Sequence, residues 1–308
     1  MTEINMTEKI ILLSGPTATG KSSLALKIAE TIDAEIINAD SIQLYRDLSI
    51  LTARPNTENE KIKHHCYGFL NGDINWSVGK WVNEVNKIIN DIIERKKVPI
   101  IVGGTGFYFK AITDGLSPIP DIDKSIRLEI ESELEKNGLE KLYKKLNIID
   151  ADASERINPN DKQRIMRAIE VYEGTKKKIS DFWLMDRKKI INQFSINFKI
   201  DADRDWIYKN CDLRVDNMFK NGVIEEVEHL LNKNYSATSP IMKAIGVNEI
   251  KSFLNNEISI DRASELIKFK THHYAKRQIT WMNNQMISWN SINTQYSNKI
   301  INEIIKKL

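Results

Sequence analysis

The chain has 308 residues, 41% hydrophobic and 28% charged, enough to bury a core in one large domain or in a core with an inserted module. A formal net charge of +3 and a pI near 8.6 permit a nucleic-acid partner without demanding one. The early apolar run at residues 10–13 is far short of the roughly 18 residues of a membrane span, and Cys66 and Cys211 show neither metal-ligand nor disulfide spacing, so a cytoplasmic protein without a membrane segment is expected.

Residues 9–14 read as a short buried strand, residues 15–20 as a loop, and residues 21–31 as a helix on the spacing of Leu24, Ile28 and Ile32. A second strand follows at 35–38. Residues 81–95 place Val82, Val85, Ile88, Ile89, Ile92 and Ile93 on one side of an amphipathic helix, and residues 98–102 form a fully buried strand ending at Gly103-Gly104. Strands alternating with helices imply a parallel sheet covered on both faces. Beyond Pro118 and Pro120 the texture changes to helix alone, at 124–146, 160–172 and 180–189. A β-type run at 194–200 then returns the chain to the sheet before helices at 205–220 and 262–283.

The strongest local signal is Gly15-Pro16-Thr17-Ala18-Thr19-Gly20-Lys21-Ser22, which fits G-x-x-x-x-G-K-[ST] between a strand and a helix. Its glycines let backbone amides curl around an anion, the helix N-terminus adds its dipole, Lys21 adds a positive charge, and the Ser22 hydroxyl is placed to hold a magnesium ion bridging phosphate oxygens. The fold expected is α/β, a P-loop NTPase-like parallel sheet flanked by helices with an inserted all-helical domain. Residues 1–118 and 194–308 form its core with C-terminal helices, and residues 119–193 form the insertion.

A phosphate loop does not name a reaction, since kinases, ATPases and GTPases share it. The strand at 98–102 runs into Gly103-Gly104-Thr105-Gly106 without the carboxylate that would hold magnesium in a standard ATPase. Asp40, in Asn38-Ala39-Asp40-Ser41-Ile42-Gln43-Leu44-Tyr45, stands at the end of the second strand, on the edge where open α/β sheets bind ligands. It could serve as a general base or, as readily, as a helix N-cap. His64 and His65 lack a third ligand and read as structural. Trp76, Trp81, Phe107, Tyr108 and Phe109 fit either core packing or an apolar substrate tunnel.

The runs G-P-T-A-T-G-K-S, N-A-D-S-I-Q-L-Y-R and T-A-R-P, in that order, resemble the tRNA dimethylallyltransferase family. So do V-G-G-T-G-F-Y-F-K-A, I-N-P-N-D-K-Q-R-I-M-R-A-I-E-V, R-V-D-N-M-F, A-I-G-V-N-E-I and Y-A-K-R-Q-I-T-W, spread over nearly the whole chain. The resemblance implies transfer of a dimethylallyl group from dimethylallyl diphosphate to N6 of the adenosine 3′ of the anticodon, in tRNAs reading codons that start with U. It assigns the loop Gly15, Pro16, Thr17, Ala18, Thr19, Gly20, Lys21 and Ser22 to the diphosphate, with Mg2+ at Ser22. Asp40, Thr19 and Arg214 become the catalytic residues. The tRNA anticodon stem-loop is assigned to Asp40, Ser41, Ile42, Gln43 and Thr105, and to Arg127, Gln163, Arg164, Ile165, Met166 and Arg167.

A monomer is expected. Two positions depart from the pattern: Asn210-Cys211 stands in place of Arg-Ile, which removes a cation near the diphosphate, and Lys80 replaces an acidic residue. A relative that prenylates free adenine nucleotides, a small-molecule kinase and a non-catalytic RNA-binding module are the competing readings. The long helical insertion disfavours the first, ATP turnover would mark the second, and the third leaves a phosphate loop facing a carboxylate unexplained.

Overall fold

A computed structural model describes residues 9–56, 61–191, 195–293 and 297–307. Ile10–Ser14 forms strand β1, buried at every position. Lys21–Ile32 forms helix α1, which turns Leu24, Ala25, Ile28 and Ala29 inward and ends at a left-handed Asp33. β2 (Ala34–Asn38), β3 (His64–His65), α2 (Val78–Glu94), β4 (Val98–Gly103) and α3 (Gly106–Thr113) follow. The Ser77 side chain caps α2, whose buried face is Trp81, Val82, Val85, Ile89 and Ile92.

The chain divides into two compact units, one comprising Met1–Thr113 with Ile190–Leu308 and the other Asp114–Lys189. The expected boundaries at 119 and 193 therefore shift by several residues, for a local reason at each end. Leu116 pairs with Lys188 in an isolated antiparallel bridge, which keeps residues 114–118 with the helices. The amides of Ile190 and Ile191 both donate to the Ile112 carbonyl, at 3.2 and 3.1 Å, which ties them to the sheet unit.

The helical unit contains α4 (Lys124–Ile149), α5 (Ala151–Arg156), α6 (Lys162–Thr175) and α7 (Ile179–Leu184). Gly138, at φ 77° and ψ 167°, breaks α4 into two helical arms. The expected helix at 180–189 ends at Leu184, and Met185 is extended, because the segment beyond it supplies the bridge to Leu116. Ile130, Leu142, Leu146, Ile165, Met166, Ile169 and Phe182 pack into this unit's own core.

Asp150, 1% exposed, is the polar tie of that unit. It accepts from the Ala153 amide at 3.0 Å, the Ser180 hydroxyl at 2.8 Å and the Ser180 amide at 3.0 Å, joining the end of α4 to α5 and α7. Asp150→Ala strands two buried amides and is expected to destabilise this unit by about 2–4 kcal/mol, read from guanidinium denaturation. A change below about 0.5 kcal/mol, the scale of a neutral surface substitution, would contradict the assignment.

In the sheet unit β5 (Ser195–Ile200), α8 (Arg204–Lys220), α9 (Val223–Asn232), a 3-10 turn at Pro240–Lys243, α10 (Val247–Leu254), α11 (Ile260–Gln285), β6 (Asn290–Ile292) and α12 (Ser297–Lys307) complete the chain. Phe194, expected to begin β5, lies outside the described residues. Among the described residues six strands form one parallel sheet in the order β3-β2-β4-β1-β5-β6. β1 stands between β4 and β5, so the phosphate loop leaves from the middle of the sheet, on the edge where such folds bind ligands. His64 and His65 are structural: His65 meets the buried Glu35 carboxylate at 2.7 Å, and His64 meets the Ile62 carbonyl at 2.8 Å. Among the described residues no helix is long and apolar enough to cross a membrane.

A candidate active site at the C-terminal edge of the sheet

The loop 15–20 closes on itself before α1 begins. Ala18 and Gly20 take left-handed φ values of 62° and 76°, and Gly20, which caps α1 without a side-chain hydrogen bond, leaves the first-turn amides open to an anion. Thr19 is 1% exposed and donates to the Pro16 carbonyl at 2.8 Å, so its hydroxyl holds the loop's shape. The Lys21 amine donates to the same carbonyl at 3.2 Å. Burial lowers the Lys21 pKa to about 8, with the Asp40 carboxylate offsetting part of the shift and Arg214 adding to it. Burial likewise lowers the Arg214 pKa, against the opposing pull of Asp40.

Asp40 does not cap a helix; the residues after it form a run of bends and turns. Its carboxylate accepts from the Ile42 amide at 3.2 Å, an Asx-type turn, while its own amide and carbonyl are clasped by the Asn38 side chain at 2.8 and 3.0 Å. Thr105 braces the next residue by accepting from the Ser41 amide at 3.0 Å. This convergence of β2 and β4 needs glycine at 103, where a Cβ would come within 2.1 Å of the Ala39 carbonyl oxygen. Gln278, from α11, ties the phosphate loop to the same turn: it accepts from the Thr17 amide and donates to the Gly104 carbonyl, both at 2.9 Å.

These groups meet around a cavity of about 270 Å³. Thr17, Lys21, Asp40 and Arg214 give it a polar end, and Leu51, Val215, Met218, Ile245 and Ile267 give it an apolar wall. Arg214 donates to the Thr17 hydroxyl and to the Leu51 carbonyl, while its Nε is buried without a partner. A buried guanidinium N–H left in that state is stabilised by an incoming anionic acceptor. A pocket that is cationic at one end, apolar along its wall and flanked by a carboxylate suits a short hydrocarbon carrying a charged phosphate head.

The family model described as IPP transferase matches residues 43–285. The chain belongs to the IPP transferase family. A second model, described as isopentenyl transferase, matches residues 8–75. Among similar curated proteins, the tRNA dimethylallyltransferase of Pelagibacter ubique is 44% identical over 91% of this chain and 90% of its own length. That of Bartonella henselae is 42% identical over 90% of this chain and 95% of its own length. A solved tRNA isopentenylpyrophosphate transferase from Staphylococcus epidermidis, 32% identical, superposes with a TM-score of 0.69 over 97% of each chain. A eukaryotic dimethylallyltransferase described as acting on tRNA superposes with a TM-score of 0.79 at 26% identity, covering 93% of this chain and 74% of its own.

Within this IPP transferase, Asp40, Ser41, Ile42, Gln43, Thr17, Lys21 and Arg214 line one cavity, and Thr105 touches its rim through Ser41. Arg127, Gln163, Arg164 and Arg167 belong to the helical unit. There Arg127 and Arg167 share the Glu170 carboxylate, at 3.6 and 3.0 Å, and Arg164 and Gln163 are exposed. Ile165 and Met166, expected at the tRNA, are fully buried in that unit's core because the helical turn that exposes Gln163 and Arg164 carries the next two positions inward. Their side chains are core residues.

Cys211, standing where an isoleucine was expected, is likewise buried, and burial raises its thiol pKa to about 11. Trp81, Tyr108 and Phe109 pack inside, Trp81 stacking on Tyr108 at 4.1 Å, while Phe107 is exposed beside a second, shallower cavity that includes Trp281. Sequence reading missed Leu51, Gln278 and Tyr274. The spacing of Ile267, Thr271, Tyr274 and Gln278, one face of α11 at i, i+4, i+7 and i+11, is the signal that could have found the last two.

Proposed function

We propose that the chain transfers a dimethylallyl group from dimethylallyl diphosphate to N6 of the adenosine 3′ of the anticodon in tRNAs reading U-initial codons. The observation that carries this reading is the cavity in which a phosphate loop and Arg214 face Asp40 along an apolar wall. The allylic C–O bond breaks with its electron pair leaving on diphosphate, the adenine nitrogen bonds to the freed carbon, and Asp40 takes the amine proton. Lys21 and Arg214 stabilise the charge gathering on the leaving diphosphate, and Asp40 offsets the positive charge developing on nitrogen.

Magnesium belongs to this proposal. Ser22 at the start of α1 offers the kind of hard oxygen donor it prefers. The ion would be held by one or two protein oxygens together with the substrate phosphates. When bound it would neutralise diphosphate charge. The adenine reaches Asp40 by leaving its stack, with Ser41, Ile42, Gln43 and Thr105 on its side of the pocket. Arg127, Gln163, Arg164 and Arg167 are the phosphate-contacting candidates of the helical unit. In this proposal the chain works as a monomer in the cytoplasm, with tRNA as its partner.

The isopentenyl transferase match over residues 8–75 keeps one second reading in view, prenylation of free adenine nucleotides. The test offers labelled dimethylallyl diphosphate with Mg2+ to unmodified tRNA, AMP, ADP and ATP in parallel. Label is expected in tRNA. Label confined to the nucleotides favours the second reading, and ATP turnover without transfer overturns both.

A further inference from the structure

We propose that Glu226, remote from the reacting atoms, is a positioning residue that sets affinity for the allylic diphosphate. The inference rests on the reading of the cavity given above. Glu226 projects from α9 into the turn that follows Leu48, where its two carboxylate oxygens accept four hydrogen bonds: from the Ser49 amide at 2.6 Å, the Ser49 hydroxyl at 2.9 Å, the Ile50 amide at 2.8 Å and the Leu51 amide at 2.8 Å. Three consecutive amides on one carboxylate form a nest for a negative charge.

The turn so held delivers groups to the site. The Leu51 carbonyl accepts from the Arg214 guanidinium at 3.4 Å, and the Thr52 and Ala53 carbonyls accept from the Gln43 amide at 3.0 and 3.3 Å. The Leu51 side chain forms part of the apolar wall and lies so close to Gly246 that a Cβ there would sit 2.5 Å from it. Glu226 thus reaches the diphosphate end through Arg214 and the hydrocarbon wall through Leu51, and touches neither substrate moiety. Glutamine keeps the size but, with its oxygen in place of Oε1, sets an N–H against the Leu51 amide, so the turn loses its anchor at the residue whose carbonyl meets Arg214.

Full-length Glu226→Gln, with its fold checked by circular dichroism and thermal melting, is expected to bind inorganic diphosphate at least about tenfold more weakly. Its KM for dimethylallyl diphosphate should rise in step and by more than KM for tRNA, which the turn reaches through Gln43. In an Arg214→Ala background the same substitution should weaken inorganic diphosphate binding by less than about threefold, because a ligand without a hydrocarbon feels the turn only through that arginine. General loosening of the protein would move both KM values alike and would act equally in both backgrounds.

Unchanged diphosphate affinity, or an equal loss in both backgrounds, overturns the proposal. Should Glu226→Gln fail to fold, Glu226→Asp, which keeps the charge on a shorter reach, is judged by the same criteria. Wild-type protein that binds diphosphate yet transfers nothing to tRNA defeats the proposed function instead, and Glu226 is then decided on diphosphate binding alone.

Discussion

Asp40→Asn is expected to slow prenyl transfer by roughly 10²–10⁴-fold, the usual contribution of a positioned general base, while KM for dimethylallyl diphosphate changes far less. The substitution separates chemistry from architecture. An asparagine oxygen can still accept from the Ile42 amide, and the Asn38 clasp binds only the backbone of residue 40, so the turn should persist. Proton removal and the negative charge facing the developing ammonium are what disappear. Single-turnover kinetics with enzyme in excess reads the chemical step directly, and a rate within about threefold of wild type would remove Asp40 from the role of base.

Lys21→Ala is expected to lower kcat/KM for dimethylallyl diphosphate by roughly 10²–10³-fold, the scale on which a preorganised group facing developing charge acts. Burial, only partly offset by Asp40, lowers its pKa to about 8, so the free protein begins to lose this charge just above neutrality. The protonated amine is the form that attracts diphosphate, and a bound polyanion raises its pKa again. Binding should therefore take up protons once pH exceeds about 8, and affinity should fall as pH rises through that value. Calorimetry of inorganic diphosphate binding in buffers of different ionisation enthalpy measures that uptake. Its absence in wild type, or its persistence in Lys21→Ala, would contradict the assignment.

What sequence made legible was contiguous or strongly periodic. The phosphate loop reads directly because its function needs glycines, a lysine and a serine at fixed neighbouring positions, and Asp40 stands out where a buried run gives way to polar residues. β3 and β6, of two and three residues, are too short to carry periodicity, and both were missed.

The helical unit was recognised from texture, but its neck was not, since the bridge of Leu116 to Lys188 joins positions 72 residues apart. Ile165 and Met166 read as tRNA contacts only as members of an unbroken motif, and a helix cannot expose five consecutive side chains on one face. Gln278 and Glu226 illustrate the harder limit. Each acts through partners more than 170 positions away, and nothing local marks a glutamine or glutamate as the brace of a distant turn.

In the proposed reaction the cavity joins a prenyl diphosphate to an adenine under the control of Asp40. The most direct measurement incubates wild-type and Asp40→Asn protein with labelled dimethylallyl diphosphate, Mg2+ and unmodified tRNA whose anticodon is followed by adenosines, then digests the RNA and maps the label by mass spectrometry. A prenylated adenosine immediately 3′ of the anticodon is expected with wild type and almost none with Asp40→Asn in the same time. Label on another nucleoside, equal label with both proteins, or no label in RNA from folded wild-type protein would contradict the proposed reaction.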